Sequence, residues 1–187
     1  PDSPFKAQAK EAELSFEQAK MLFAFGEEIG IEVFFSVFDI ERVKWCEEIG
    51  VKRYKVACSQ NENLALLDAV GLTGKPCFIS YEAGNSDAWL RIAGEVSILQ
   101  CVPEYPALSI DFGENFDSEY AWAQGFSDHF VGLDCAKIAL ARGAQIIEKH
   151  FCLRHDLGVD AKWSMAPDEL RELVRWSKVC KVCQEVL

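Results

Sequence analysis

The chain has 187 residues, half of them apolar, which is enough to bury a substantial core and suits one domain better than two. A formal net charge of −11 argues against nucleic acid and anionic membranes as partners. The apolar runs are short and broken by charged residues or Gly, so none is long enough to cross a bilayer as a helix.

In chain order, Ser15 and Gln18 make a capping box for a first helix with an apolar stripe of Ala19, Leu22, Phe23 and Ile29, stopped by Gly30. The run EVFFSVF from Glu32 reads as a strand. Asp39 then caps a helix carrying Ile40, Val43 and Cys46, closed by Gly50. RYKVA from Arg53 is the next strand, followed by the helical stretch NENLALLDAVG. PCFIS from Pro76, VSILQCV from Val96 and GFSDHF from Gly125 are further strands; VGLDCAKIALARG is helical, and AQIIEKHF from Ala144 returns to strand. A last helix opens at Pro167 with Asp168 and Glu169 in its first turn, turning Leu170, Leu173 and Val174 to the core.

This alternation predicts an α/β fold with parallel strands, several apolar throughout as doubly covered strands are. A doubly wound sheet would show a Gly-rich turn after an early strand, and neither GxGxxG nor a Walker A is present. A barrel places polar residues at the ends of many strands. Here Ser36 and Asp39, Lys55 to Gln60, Ser80 to Glu82, Glu104 and Tyr105, Ser127 to His129, and Glu148 to His150 follow successive runs. The pattern favours the barrel.

The N-terminal stretch PDSPFKAQAKEAEL is polar and acidic, unlike a secretory signal, and begins without Met, as a processed or incomplete chain does. A cytoplasmic location is therefore expected, with Cys58, Cys77, Cys101, Cys135 and Cys152 as reduced thiols inside apolar stretches. Cys180 and Cys183 have CxxC spacing, but no partner pair or His follows, and packing of the terminal helix is the preferred reading over zinc or redox use.

His129 and His150 close equivalent strands about one βα unit apart, which brings two imidazoles to one rim. Glu148 shares the strand face of His150. Two imidazoles with carboxylate and water oxygens suit a divalent ion of the Mn²⁺ type, although residue type alone admits zinc as well. An isolated His would merely satisfy a local hydrogen bond; two at matched positions point to metal. Lys55 stands in an otherwise apolar strand, where its charge calls for a bound anion or an ion pair with a neighbouring carboxylate. Ser80 and Ser127 are strand-end hydroxyls able to hold a phosphate or carboxylate, and Asp160 lies in the loop HDLGVDAKWSM.

FFSVFD, YKVACSQNENLALL, TGKPCFIS, GFSDH, IIEKHF and SMAPDEL resemble, in that order, successive motifs of the N-acetylneuraminate (sialic acid) synthase family, from about Leu14 to Leu173. The resemblance implies a TIM barrel that condenses phosphoenolpyruvate with an open-chain N-acetylated amino sugar, using Mn²⁺ or Mg²⁺. It assigns His129 and His150 to the metal, Lys55, Ser80 and Ser127 to phosphoenolpyruvate, with Lys55 also a catalytic residue, and Tyr105 and Asp160 to the amino-sugar end of the pocket. It also implies eight strands, of which this chain matches the last six. The expectation is a single partial (β/α)8-type barrel domain over residues 1–187 with about six βα units, completed by upstream sequence, a homodimer or a complementing chain.

Five positions depart from the family pattern, the mildest being Val159 of Gly158-Val159-Asp160, where the family has proline. Val37 replaces a hydroxyl residue, Cys58 a serine, Pro103 a polar residue, and Gln60 a glutamate at a catalytic position, where an amide cannot exchange a proton. Two functions follow: a carbon–carbon bond-forming transferase of nonulosonic acid biosynthesis, or a catalytically impaired remnant serving as a metal/anion-binding or interaction module.

Overall fold

The computed structural model describes residues 10, 13–82, 86–108 and 124–186. The elements are α1 (Phe16–Ile29), α2 (Ile40–Ile49), β1 (Tyr54–Val56), α3 (Leu64–Gly71), β2 (Cys77–Tyr81), β3 (Val96–Cys101), β4 (Gly125–Asp128), α4 (Asp134–Ala141), β5 (Ile146–Lys149) and α5 (Pro167–Val186). The strands form a five-stranded sheet in which neighbour order follows chain order, β1-β2-β3-β4-β5. The chain divides into two compact units: residues 1–77 with 88–95, and residues 78–87 with 96–187.

In the first unit the capping signals hold. The Ser15 hydroxyl accepts from the Gln18 amide at 3.3 Å and the Gln18 side chain accepts from the Ser15 amide at 2.8 Å, while Gly30 ends α1 in the left-handed region at φ 75°. Asp39 accepts from the Arg42 amide at 2.8 Å to open α2. The expected stripe on α1 is corrected: Leu22 and Ile29 are 45% and 50% exposed, whereas Ala19 and Gly26 are buried. The buried seam is thus two residues spaced by two turns, narrow because the chain folds back closely after the helix. A Cβ on Gly26 would lie 2.7 Å from the Ile31 carbonyl oxygen. On α2, Val43 and Cys46 are buried as expected, but Ile40 is exposed.

The run from Glu32 is also corrected. It makes one parallel bridge, Ser36 to Lys55, in place of a full strand. Val37 N donates to the Lys55 carbonyl at 3.1 Å and Lys55 N donates to the Phe35 carbonyl at 3.2 Å. Its partner β1 is three residues long, which leaves room for little more. Tyr54 of β1 is fully buried and donates its hydroxyl to Glu47 of α2 at 2.6 Å; Lys75 meets the same carboxylate oxygen at 2.7 Å.

In the second unit β3 pairs with β4 and β4 with β5, all parallel, with Asp128 opposite Lys149. These two residues form a buried ion pair, Lys149 Nζ to Asp128 Oδ2 at 3.0 Å, with no exposed side-chain surface on either. Lys149 also donates to the Phe130 carbonyl at 2.7 Å, and Asp128 accepts from the Phe130 amide at 2.8 Å, so the pair pins the segment leaving β4. One apolar cluster joins Val102, Ala107, Phe126, Phe130, Cys135 and Ala139. A second joins Leu133, Ala136 and Leu140 to Leu173 and Cys180 of α5. Leu170 and Val174, expected in the core, are 36% and 45% exposed. Leu173 and Cys180 lie seven residues apart, so α5 buries a seam narrower than a broad apolar face.

Cys180 therefore packs a helix, while Cys183 is exposed; no disulfide forms among the described residues and six cysteines are buried. No described helix is long and apolar enough to cross a membrane.

Two outcomes follow for stability. A Cβ at Gly125 would lie 2.4 Å from the Ile146 carbonyl oxygen, so Gly125→Ala should destabilise by about 1–3 kcal/mol in chemical denaturation. A neutral result would show that β4 and β5 can separate. Lys149→Met should cost about 3–5 kcal/mol by stranding the Asp128 carboxylate. Adding Asp128→Asn should recover much of that loss, and failure to do so would show that the charge is not the cause.

Candidate active site

The β4–β5 register sets the geometry. Because Asp128 lies opposite Lys149, the next residues, His129 and His150, leave neighbouring strands at the same level. Their ring centroids are 5.8 Å apart at an interplanar angle of 74°. His129 is buried at 5% exposure, and its Nδ1 lies 2.8 Å from the Val102 carbonyl oxygen. A carbonyl can only accept, so this nitrogen carries a proton, and the lone pair of a neutral ring would lie at Nε2. His150 Nδ1 lies 3.2 Å from Asp160 Oδ2, so a carboxylate stands beside the corresponding nitrogen of the second ring.

Two aromatic rings wall the pair. Tyr105 lies 4.1 Å from the His129 ring and 5.7 Å from the His150 ring. Trp163 lies 6.3 Å from His150 and 6.0 Å from Tyr105, and is itself buried. Neither Trp163 nor the Val102 carbonyl is marked by the motifs of the sequence. A backbone oxygen has no side-chain signature; a bulky aromatic in the polar loop HDLGVDAKWSM was the available sign for Trp163.

Ser80 and Ser127 converge on Glu148. Both hydroxyls donate to its Oε2, at 3.0 Å and 2.6 Å. With its proton directed at Glu148, Ser127 turns oxygen lone pairs toward His129 Nε2, 3.4 Å away. An electron-rich gap of this kind favours a cation. Glu148, which strand alternation places on the face of His150, is engaged by the two serines, and no group of three or more His, Cys, Asp or Glu is placed to hold a metal among the described residues. The described residues thus bring two imidazoles together, and a metal held there would need further oxygen donors to complete its shell.

Lys55 and Gln60 lie in the other unit. Lys55 is 4% exposed in β1 and donates to the Val56 carbonyl at 3.0 Å. Burial pushes the nearby Cys77 thiol up to about 12 against the opposing pull of the Lys55 charge, so this cysteine stays a neutral, unreactive thiol. Gln60 ends a short 3-10 turn, Cys58–Gln60, and its amide oxygen accepts from Asn63 Nδ2 at 3.0 Å. Asn63 in turn caps α3 by accepting from the Leu66 amide at 3.2 Å. Gln60 here supports a helix cap. Val37, where the family pattern has a hydroxyl, is fully buried.

Comparison with known proteins agrees with this picture. The chain is 31% identical over 176 residues to N-acetylneuraminate-9-phosphate synthase of Mus musculus, covering 87% of this chain and 49% of that protein. It is 28% identical over 176 residues to N,N'-diacetyllegionaminic acid synthase of Campylobacter jejuni, covering 86% and 53%. It therefore spans about half the length of the curated relatives it matches. Among solved structures, the N-acetylneuraminic acid synthetase of Leptospira borgpetersenii superposes with a TM-score of 0.85 at 28% identity, over 94% of this chain and 66% of that one. A family model matches residues 3–185, and the chain belongs to the NeuB family.

Proposed function

We propose that the protein containing this chain is a nonulosonic acid synthase that condenses phosphoenolpyruvate with an N-acetylated amino sugar, on a (β/α)8-type barrel of which this chain supplies about six βα units. The observation that supports the reading is the pair of imidazoles whose Nδ1 atoms face Val102 O and Asp160 Oδ2, an arrangement that leaves both Nε2 atoms available to a metal ion. His129 and His150 hold the divalent ion, Mn²⁺ or Mg²⁺, and such an ion supplies Lewis-acid polarisation of the sugar aldehyde. In the overall reaction the enol carbon bonds to the aldehyde carbon, water adds at the neighbouring carbon, and phosphate departs.

The chain's own residues orient and balance charge. The family resemblance assigns Lys55, Ser80 and Ser127 to phosphoenolpyruvate. On that assignment the two hydroxyls, turned to Glu148 in this structure, rotate their protons to the incoming anion and leave Glu148 able to accept a proton. Tyr105 and Trp163 flank the histidines, and Asp160 stands beside His150 at the amino-sugar end.

Gln60 favours the second reading, a catalytically impaired member that retains binding. Its amide oxygen props Asn63 and has no proton to exchange.

The test is product formation by the full-length protein from phosphoenolpyruvate and N-acetylmannosamine with Mn²⁺. His129→Ala should abolish turnover, and Asp160→Asn should lower activity or metal affinity by about 10–100-fold. Millimolar Mn²⁺ should raise the thermal midpoint, and this rise should vanish in His129→Ala. Binding of Mn²⁺ without turnover in the native protein, with turnover appearing in Gln60→Glu, would establish the impaired reading. Absence of both metal binding and turnover would reject both.

A further inference from the structure

The loop between β5 and α5 carries Asp160 and Trp163, two of the groups that set His150. It is tied down by the third histidine of the chain. His155 Nδ1 lies 3.0 Å from the Ala161 carbonyl oxygen, and its Nε2 lies 3.0 Å from Glu169 Oε2 in the first turn of α5. Glu169 Oε2 also accepts from the Ala166 amide at 2.7 Å, so the carboxylate that faces His155 also caps the helix. The imidazole therefore bridges the loop, one residue beyond Asp160, to the fixed end of α5.

Both atoms facing the ring are acceptors. A neutral imidazole has one N–H, so either tautomer turns a lone pair on an acceptor: on the Glu169 carboxylate, or on the Ala161 oxygen. The imidazolium satisfies both. Glu169 is the charged group acting on the ring from α5; Arg154 and Asp156, which flank it on the loop, pair with each other at 2.9 and 2.8 Å, and Asp168 pairs with Arg171. The loop has its own turn next to this tie, with the Asp160 carbonyl accepting from Ser164 N at 3.0 Å and Ser164 Oγ at 2.7 Å. A shift at Ala161 is thus passed to Asp160 as a unit.

We propose that His155 is a positioning residue: as an imidazolium it clamps the loop to Glu169 and so holds Asp160 against His150, and its deprotonation releases that hold. The bond to Ala161 O, with the Glu169 charge, raises the His155 pKa above the ordinary imidazole range. The sign follows: the clamp is closed at pH values below that raised pKa and opens as pH climbs through it. The importance of the clamp for catalysis rests on the synthase reading, but its existence does not.

The experiment is a pH titration of the metal-free full-length protein by imidazole C–H NMR, with the His155 and His150 resonances assigned by their loss in His155→Gln and His150→Gln. The expected result is a His155 midpoint above the ordinary range, with the His150 resonance shifting at that same midpoint. Glu169→Gln keeps an oxygen for the Ala166 amide but removes the charge, so the His155 midpoint and the linked His150 shift should move down together. A His150 resonance without a shift at the His155 midpoint would overturn the proposal, as would an unmoved His155 midpoint in Glu169→Gln. The unsubstituted protein alone tests the linkage, so a variant that fails to fold does not shield it. Because no substrate or metal enters, failure here is separate from failure of the synthase reading.

Discussion

The site depends on what each histidine does with its inner nitrogen. A backbone carbonyl at Val102 faces Nδ1 of His129 and a carboxylate at Asp160 faces Nδ1 of His150, and it is the two Nε2 atoms that these contacts leave for other partners. Without those acceptors the rings would be able to exchange tautomers and rotate, and two histidines at neighbouring strand ends would have no shared chemistry. The acceptors come from different sources: Val102 directly follows β3, while Asp160 arrives on a loop. One ring is thus set by the sheet itself and the other by a segment that must be held.

Beneath the site, the Asp128–Lys149 pair fixes the register that sets both histidines at one level. Its members immediately precede His129 and His150, so alternation along the strands turns the pair into the unit's interior and the imidazoles to the opposite side. Conservative changes in the first unit tell a complementary story. Val37 is packed as core and Gln60 as a cap support, so both altered positions have structural work that their side chains perform well.

Much of this was legible in the sequence because it depends on local chemistry. Ser15, Asp39, Gly30 and Gly50 mark helix ends through hydrogen bonds and φ preferences that span only a few residues. The strand runs declare themselves as short segments of β-branched, aromatic and aliphatic residues, and the two histidines by their matched positions. What was not legible depends on distant partners. The run from Glu32 has strand composition but a short neighbour, and so makes a single bridge. Leu22, Ile29, Leu170 and Val174 have helical spacing, yet the packed seams on α1 and α5 are narrower than the apolar stripes. The partners of Glu148 come from strands far away in sequence, one of them 68 residues distant, and no spacing rule reports them.

That junction has a consequence for how the protein can change. One carboxylate oxygen on β5 gathers hydroxyls from β2 and β4, so three staves share a single electrostatic knot. Groups that share an acceptor are coupled, and the effect of altering one depends on the state of the others. Drift at Ser80, Ser127 or Glu148 is therefore epistatic: the three positions are free to diverge as a set far more readily than one at a time.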